Sequence, residues 1–201
     1  MATKKLGILG GTFDPIHNGH IYLAQAIYMA MQLERVIFIP AYIAPHKVGQ
    51  DFAPAADRYN MTVLATQGYP YFCVSDMEIK RSGVSYTIDT VREMQRLYPD
   101  CELYFIIGAD SVPMLHTWHK IDELLELVTF VAAGRPGYSH VIDAAADKLG
   151  EIAYTKIKLL PTPEYAVSST EIRQRIRQGA GLGDLVPMAV EQYIKAHGLY
   201  V

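Results

Sequence analysis

Two histidines three residues apart, His17 and His20, follow a glycine pair, Gly10-Gly11, in the run Leu6–His20. The apolar residues before the glycines predict a short buried strand, and the residues after them predict the first turn of a helix. A strand that delivers the chain into a helix N-terminus makes an anion site. Unpaired backbone N–H groups and the positive end of the helix dipole converge there. Gly10 and Gly11 carry no Cβ, so the backbone can come close to a ligand. Spacing i, i+3 puts both imidazoles on one helical face. Phosphate fits this description best. Helical zinc pairs are spaced i, i+4 with a carboxylate between them, so no metal site is expected here. Taken singly, a Gly-Gly turn is often only a turn, and histidines at a helix start are often solvated.

A second anion candidate is Ser168-Ser169-Thr170-Glu171-Ile172-Arg173. Ser168 with Glu171 reads as a capping box opening an amphipathic helix. The same residues also gather hydroxyls, backbone N–H groups and Arg173, a planar multi-donor cation, at one helix mouth. Arg177 follows on the same face at i+4, while Arg175 lies round the helix toward solvent. Lys47, in Ala44-Pro45-His46-Lys47, stands on a long loop, where a lysine is ordinarily just exposed. Thr87 reads as an N-cap before an acidic first turn. Trp118 is the lone tryptophan, a residue type that usually serves the core. Gly179-Ala180-Gly181-Leu182-Gly183 follows a helix rather than a strand and so lacks the context of a dinucleotide-binding turn.

Together these stretches resemble a known family. GGTFDPIHNGH resembles the HxGH signature of the nucleotidyltransferase superfamily, whose members transfer AMP or CMP to phosphate-bearing acceptors. Ser168–Arg173 resembles its SSTxxR signature, and Pro45-His46-Lys47 its PPHK loop, with Ala44 where the first proline is usual. Ser85-Tyr86-Thr87-Ile88-Asp89-Thr90 and the segment from Gly108 to Lys120 are similar to runs of the bacterial nicotinate-nucleotide adenylyltransferases. That resemblance spans residues 6–177. It implies that His17, His20 and Arg173 are catalytic. It implies that Gly10, Gly11, Thr12, Phe13, Lys47, Gly108, Asp110, Ser168, Ser169 and Thr170 bind ATP and its phosphates. Tyr86, Thr87, Trp118 and His119 would then hold the nicotinate nucleotide. The implied substrates are ATP, carrying Mg²⁺ with it, and nicotinate mononucleotide; the products are deamido-NAD and pyrophosphate. A phosphate monoester with a second pKa near ~6 is largely dianionic at neutral pH, so the acceptor needs no general base. Two alternatives stay open: nicotinamide mononucleotide as acceptor, since no lysine or arginine can be placed beside the acid group, and a nucleotide-sensing module without catalysis. Retention of both histidines and Arg173 favours an enzyme.

The elements that must position these residues alternate. Apolar β-branched runs at Val36–Ile39, Tyr71–Val74, Leu103–Ile107, Val128–Ala132 and Lys156–Leu160 predict strands. Helical periodicity recurs from Ile21 to Met31, through Arg58, Met61 and Leu64, and from Thr87 to Tyr98 with a stripe of Ile88, Val91, Met94 and Leu97. It recurs again over Val141–Leu149, Ser169–Gln178 and Pro187–His197. The pattern predicts an α/β fold: a Rossmann-like open parallel sheet with helices on both faces and a helical C-terminal part. Ligands of such sheets bind beyond the carboxyl ends of the strands, so the Gly10, Gly108 and Ser168 turns are expected on one edge. The 201 residues suit one domain, 1–201, its helical part covering about 168–201. With 18 basic and 21 acidic residues and a net charge of −3, no nucleic-acid partner is expected. Met1-Ala2-Thr3-Lys4-Lys5 lacks a signal peptide's apolar stretch, and no apolar run nears the ~20 residues of a membrane helix. Two cysteines, Cys73 and Cys101, suggest reduced thiols. A cytoplasmic protein with no membrane partner is expected; a homo-oligomer is left open.

Overall fold

The computed structural model describes residues 3–134, 140–162 and 167–201; Met1 and Ala2 of the N-terminal reading lie outside them. The strands are β1 (Lys4–Gly11), β2 (Arg35–Pro40), β3 (Phe72–Val74), β4 (Cys101–Gly108), β5 (Thr129–Gly134) and β6 (Ile157–Pro161). The helices are α1 (Asn18–Met31), α2 (Ala55–Thr66), α3 (Met77–Arg81), α4 (Thr87–Leu97), α5 (Ile121–Leu127), α6 (His140–Leu149), α7 (Ile152–Lys156), α8 (Ser169–Arg177) and α9 (Met188–His197). Short 3₁₀ turns cover Pro45–Lys47, Ala109–Thr117 and Gly183–Leu185. The strands form one sheet in the order β3-β2-β1-β4-β5-β6, the order of a Rossmann-type sheet, which reverses between β1 and β4. β1 runs parallel to β4 with Ile8 opposite Phe105, β4 parallel to β5, and β5 parallel to β6. Among the described residues, no helix is long and apolar enough to cross a membrane. Both cysteines are free thiols.

The chain forms two compact units. The first comprises Met1–Gly10, Ala24–Ile37 and Tyr86–Glu164. Its core is the run of fully buried strand residues, Ile8, Ile106, Phe130 and Val131, with Val91 and Met94 of α4 and Leu124 of α5. Gly7 and Gly10 are where this packing needs glycine: a Cβ would stand 2.8 Å from Leu33 at the first and 3.2 Å from the Phe105 ring at the second. Ile88, Val91 and Met94 are buried as expected, but Leu97 is 59% exposed. Strict i+3 spacing slips about 60° per step, so by the third step the stripe has turned about half-way round the helix. Helix α4 also begins one residue off the expected cap: Tyr86 is the N-cap, extended and without a side-chain capping bond, and Thr87 is the first helical residue.

The second unit comprises Gly11–Leu23, Phe38–Ser85 and Tyr165–Val201. Its organising residue is Arg58 on α2, only 2% exposed. The guanidinium donates from Nε to the Ala53 carbonyl (2.9 Å), from Nη1 to Thr12 (2.8 Å) and Ala41 (2.6 Å), and from Nη2 to Tyr42 (2.9 Å). One buried cation therefore ties the turn after β1 to both ends of the loop after β2. Arginine suits this because its donors form a rigid planar fork. Elsewhere in the unit, α9 is stopped by Gly198 in the left-handed region (φ 58°), as expected from a glycine just past a last turn.

Replacing Arg58 with methionine keeps much of the stem but strips the donors from buried carbonyls. The expected loss of unfolding free energy is about 3–5 kcal/mol, read as a lower urea midpoint at unchanged slope. A loss below ~1 kcal/mol would contradict the role of this fork.

Candidate functional site

In the second unit β1 ends on Gly11, and the chain turns through Thr12, Phe13, Asp14 and Pro15 before α1 begins. A Cβ on Gly11 would lie 3.0 Å from the Phe13 ring, so the ring packs closely over this glycine. Phe13 adopts a left-handed backbone (φ 49°), a costly conformation for a bulky residue. Packing holds it there. Its ring is 2% exposed, meets His20 edge-on at 5.1 Å and leans on Phe38 at 6.0 Å. The Thr12 carbonyl is fixed by Arg58 and the Gly11 carbonyl by the Ala41 N–H at 2.8 Å.

His17 stands one residue before the helix rather than in its first turn. Its carbonyl accepts from the His20 and Ile21 N–H groups, as an N-cap carbonyl does. His20 occupies the third helical position and reaches back, its Nδ1 accepting the His17 backbone N–H at 3.2 Å. This is one half of a capping box, with imidazole in the place of glutamate. The two rings stack with centroids 3.6 Å apart and planes 25° apart. Gly19 makes this possible, since a Cβ there would lie 2.7 Å from Val167 and 3.0 Å from His17 Nδ1.

The stack is neutral near pH 7. Burial lowers the His17 pKa to about 4. Burial, then the neighbouring His17 and Lys47, push His20 well below its usual value. With Nδ1 accepting, the neutral His20 ring carries its proton on Nε2 and can donate it to an anion. His17 Nδ1 is buried and without a hydrogen-bond partner.

Asp14 is the hub behind the stack. It is 2% exposed, and its Oδ1 accepts from the Ala53 N–H (3.0 Å) and the Tyr200 hydroxyl (2.8 Å). Oδ2 lies 3.5 Å from Arg173 Nη1, and the Asp14 carbonyl accepts from the same nitrogen at 2.7 Å. Arg173 Nη2 also reaches Thr170 Oγ1 at 3.3 Å. The hydroxyls expected to face a phosphate are engaged in the scaffold. Ser168 Oγ caps α8 at the Glu171 N–H (3.1 Å), and Ser169 Oγ donates to the Pro15 carbonyl (2.9 Å). Ser168 Oγ and Thr170 Oγ1 act here as acceptors, so the start of α8 still holds their O–H donors beside its backbone N–H groups and Arg173. Only half of the expected capping box forms, because the Glu171 carboxylate pairs with Arg175 at 3.0 Å. That pair also places Arg175 more specifically than the expected solvated position. Lys47 sits in a 3₁₀ turn with its ammonium 5.5 Å from the centre of the Phe52 ring. Burial and Arg173 lower its pKa, while Asp14 acts in the opposite sense.

The remaining predicted residues lie in the first unit. Trp118 is half-buried and stands edge-on to Phe105 (6.0 Å) and Phe130 (5.8 Å), an anchoring that core packing supplies. Tyr86 and His119 form an exposed ring pair 4.7 Å apart. Gly108 and Asp110 are exposed just past β4. Asp14, Arg58 and Tyr200 were not among the predicted site residues. Arg58 had a signal, a charge in helical phase with the buried Met61, and Asp14 lies within the GGTFDPIHNGH run; Tyr200 had none beyond its type.

Three comparisons bear on this arrangement. A family model described as cytidylyltransferase-like matches residues 8–175. The chain is 46% identical along its whole length to a Dehalococcoides mccartyi protein named "Probable nicotinate-nucleotide adenylyltransferase", covering 98% of that relative. A Geobacillus thermodenitrificans protein of the same name is 44% identical over 98% of this chain and 86% of its own. Among solved structures, the nicotinic acid mononucleotide adenylyltransferase of Plasmodium falciparum complexed with NaAD superposes with a TM-score of 0.78. It covers 98% of this chain and 97% of that one, at 19% identity, and so speaks to the fold.

The lowered histidine pKa values have a consequence for stability. Between the unfolded value of 6.5 and the folded value of about 4, the unfolded chain binds the proton and the folded one does not. Stability is therefore full above pH 6.5 and falls as pH drops toward 4, by about 3 kcal/mol for His17. Urea midpoints measured across that range should decline, and His17→Gln should flatten the decline; an unchanged slope in the variant would contradict the assignment.

Proposed function

The chain belongs to the cytidylyltransferase-like family, on its nicotinate-nucleotide adenylyltransferase branch, and from that premise we propose that it transfers AMP from ATP to nicotinate mononucleotide. The products are deamido-NAD and pyrophosphate, a step of NAD biosynthesis, and the proposed compartment is the cytoplasm. The observation that carries the reaction class is the stack of two neutral imidazoles at the start of α1, in the same unit as Lys47 and Arg173.

The acceptor 5′-phosphate attacks the α-phosphorus of ATP. A new bond forms between its oxygen and that phosphorus, the bond to the bridging oxygen breaks, and the β,γ-pyrophosphate leaves with the electron pair. The nucleophile is already charged, so the residues need only align the two phosphates and stabilise charge. His20, with its Nε2 proton, donates to the α-phosphate as charge builds, and His17 supports that ring by stacking. Arg173, Lys47 and the N–H groups of Ser169 and Thr170 take the β- and γ-phosphates, helped by the Mg²⁺ that ATP brings. Gly10, Gly11, Thr12 and Phe13 shape the turn beneath them. In the first unit, Tyr86, Thr87, Trp118 and His119 hold the pyridine nucleotide, and Gly108 and Asp110 stand where a carboxylate can accept from ribose hydroxyls. An indole face suits an electron-poor ring.

Pyrophosphate release from Mg-ATP is expected with nicotinate mononucleotide and much less with nicotinamide mononucleotide. His20→Ala should lower turnover by ~10²-fold or more, in the range of one preorganised donor. Preference for the amide would overturn the acceptor assignment, and a folded His20→Ala variant with near-normal turnover would remove His20 from the chemistry.

A further inference from the structure

We propose that Tyr200, the penultimate residue of the chain, is a positioning residue for ATP binding, acting through Asp14 on Arg173. The inference rests on the reading of Arg173 as a phosphate donor, and everything it invokes lies within the second unit.

The C-terminal residues are led back by the end of α9. Gly198 turns in the left-handed region, the Leu199 N–H bonds to the Ile194 carbonyl at 3.1 Å, and Tyr200 itself takes a left-handed backbone (φ 68°). A non-glycine residue in that region is held by its surroundings. What Tyr200 reaches is the Asp14 carboxylate, at 2.8 Å. That carboxylate has two oxygens and three neighbours. Oδ1 is shared by Tyr200 and the Ala53 N–H, which fixes the rotation of the carboxylate and leaves Oδ2 to face Arg173. Asp14 Oδ2 is buried and accepts no hydrogen bond, so its hold on Arg173 is electrostatic and depends on orientation.

Arg173 then has two ties to the Asp14 residue, one to its carbonyl and one to its carboxylate. Among the described residues, its other hydrogen bond is to Thr170, which leaves further N–H groups of the fork for an anion. Asp14, Arg173, Arg177 and Tyr200 line one cleft of about 260 Å³. Burial, followed by the charge and hydrogen bond of Asp14, raises the Tyr200 pKa far above its usual value, so the hydroxyl stays a donor throughout the working pH range. Removing it leaves Oδ1 to the Ala53 N–H alone, which loosens the carboxylate's rotation and with it the orientation in which the guanidinium presents its outer edge.

The test is a double-mutant cycle on Mg-ATP binding, measured by calorimetry on the full-length protein with Tyr200→Phe, Arg173→Ala and the pair. Tyr200→Phe keeps the ring and removes only the hydroxyl. It is expected to weaken Mg-ATP binding about 5-fold in the wild-type background and to have no further effect once Arg173 is alanine. In turnover, KM for Mg-ATP should rise while kcat and the KM of the acceptor stay put, as for an interaction made equally in ground and transition states. An unchanged Mg-ATP affinity in folded Tyr200→Phe overturns the proposal. So does an equal weakening with and without Arg173, which would mark a merely structural tyrosine. Calorimetry does not involve the acceptor, so a wild type that binds Mg-ATP but ignores nicotinate mononucleotide would sink the proposed function and leave this cycle decisive on its own.

Discussion

A buried guanidinium holds the turn between β1 and α1 in place. Arg58 gives its fork to carbonyls of Thr12, Ala41, Tyr42 and Ala53, and the bonds to Thr12 and Ala41 are buried ones. The same turn carries Phe13 in a left-handed backbone and Asp14 in full burial. Neither is comfortable alone. The cation fixes the backbone and the aromatic ring fills the space left by Gly11; burial lowers the arginine's pKa, and the Asp14 charge acts in the opposite sense. Because these bonds need no ligand, the turn is shaped before any substrate arrives, which is what electrostatic preorganisation requires.

On that turn the chemistry is divided by charge. The imidazoles nearest the start of α1 are kept neutral by burial, while the permanent cation, Arg173, is tied to Asp14. In the proposed reaction, a neutral donor assigned to the α-phosphate and cations assigned to the leaving phosphates suit negative charge moving toward pyrophosphate. The acceptor brings its own charge, so no side chain has to be activated as a nucleophile. The hydroxyls of Ser168 and Ser169 also hold the scaffold. They bind α8 to its own first turn and to the Pro15 carbonyl, so the segment resembling a phosphate signature also fastens the C-terminal helices to the histidine turn.

The strands were legible because a buried parallel strand leaves a continuous apolar run, and β2 and β4 are such runs. Helices α8 and α9 carried period and glycine stop signals strong enough to place them within a residue or two, and α1 carried a period that ends at Met31 as observed. Short elements were not legible: α3 and α5 are five and seven residues long, too short to show a period, and the 3₁₀ stretch Ala109–Thr117 contains Pro113, which reads as a loop. At the site, spacing foretold that His17 and His20 share a face, and the structure stacks them. It could not foretell that His20 caps His17, since imidazole is no usual capping group. Nor could it link Asp14 with Tyr200, 186 residues apart; that pairing exists only in three dimensions.

The central claim is that the histidine pair waits as neutral, prealigned donors. Nitrogen-15 chemical shifts of the His17 and His20 rings in the ligand-free protein test it most directly. The geometry predicts that His20 at pH 7 is neutral, with the proton on Nε2 and an acceptor at Nδ1, and that neither ring becomes an imidazolium until the pH falls well below 6.5. An imidazolium at either position at neutral pH, or a His20 proton on Nδ1, would contradict it.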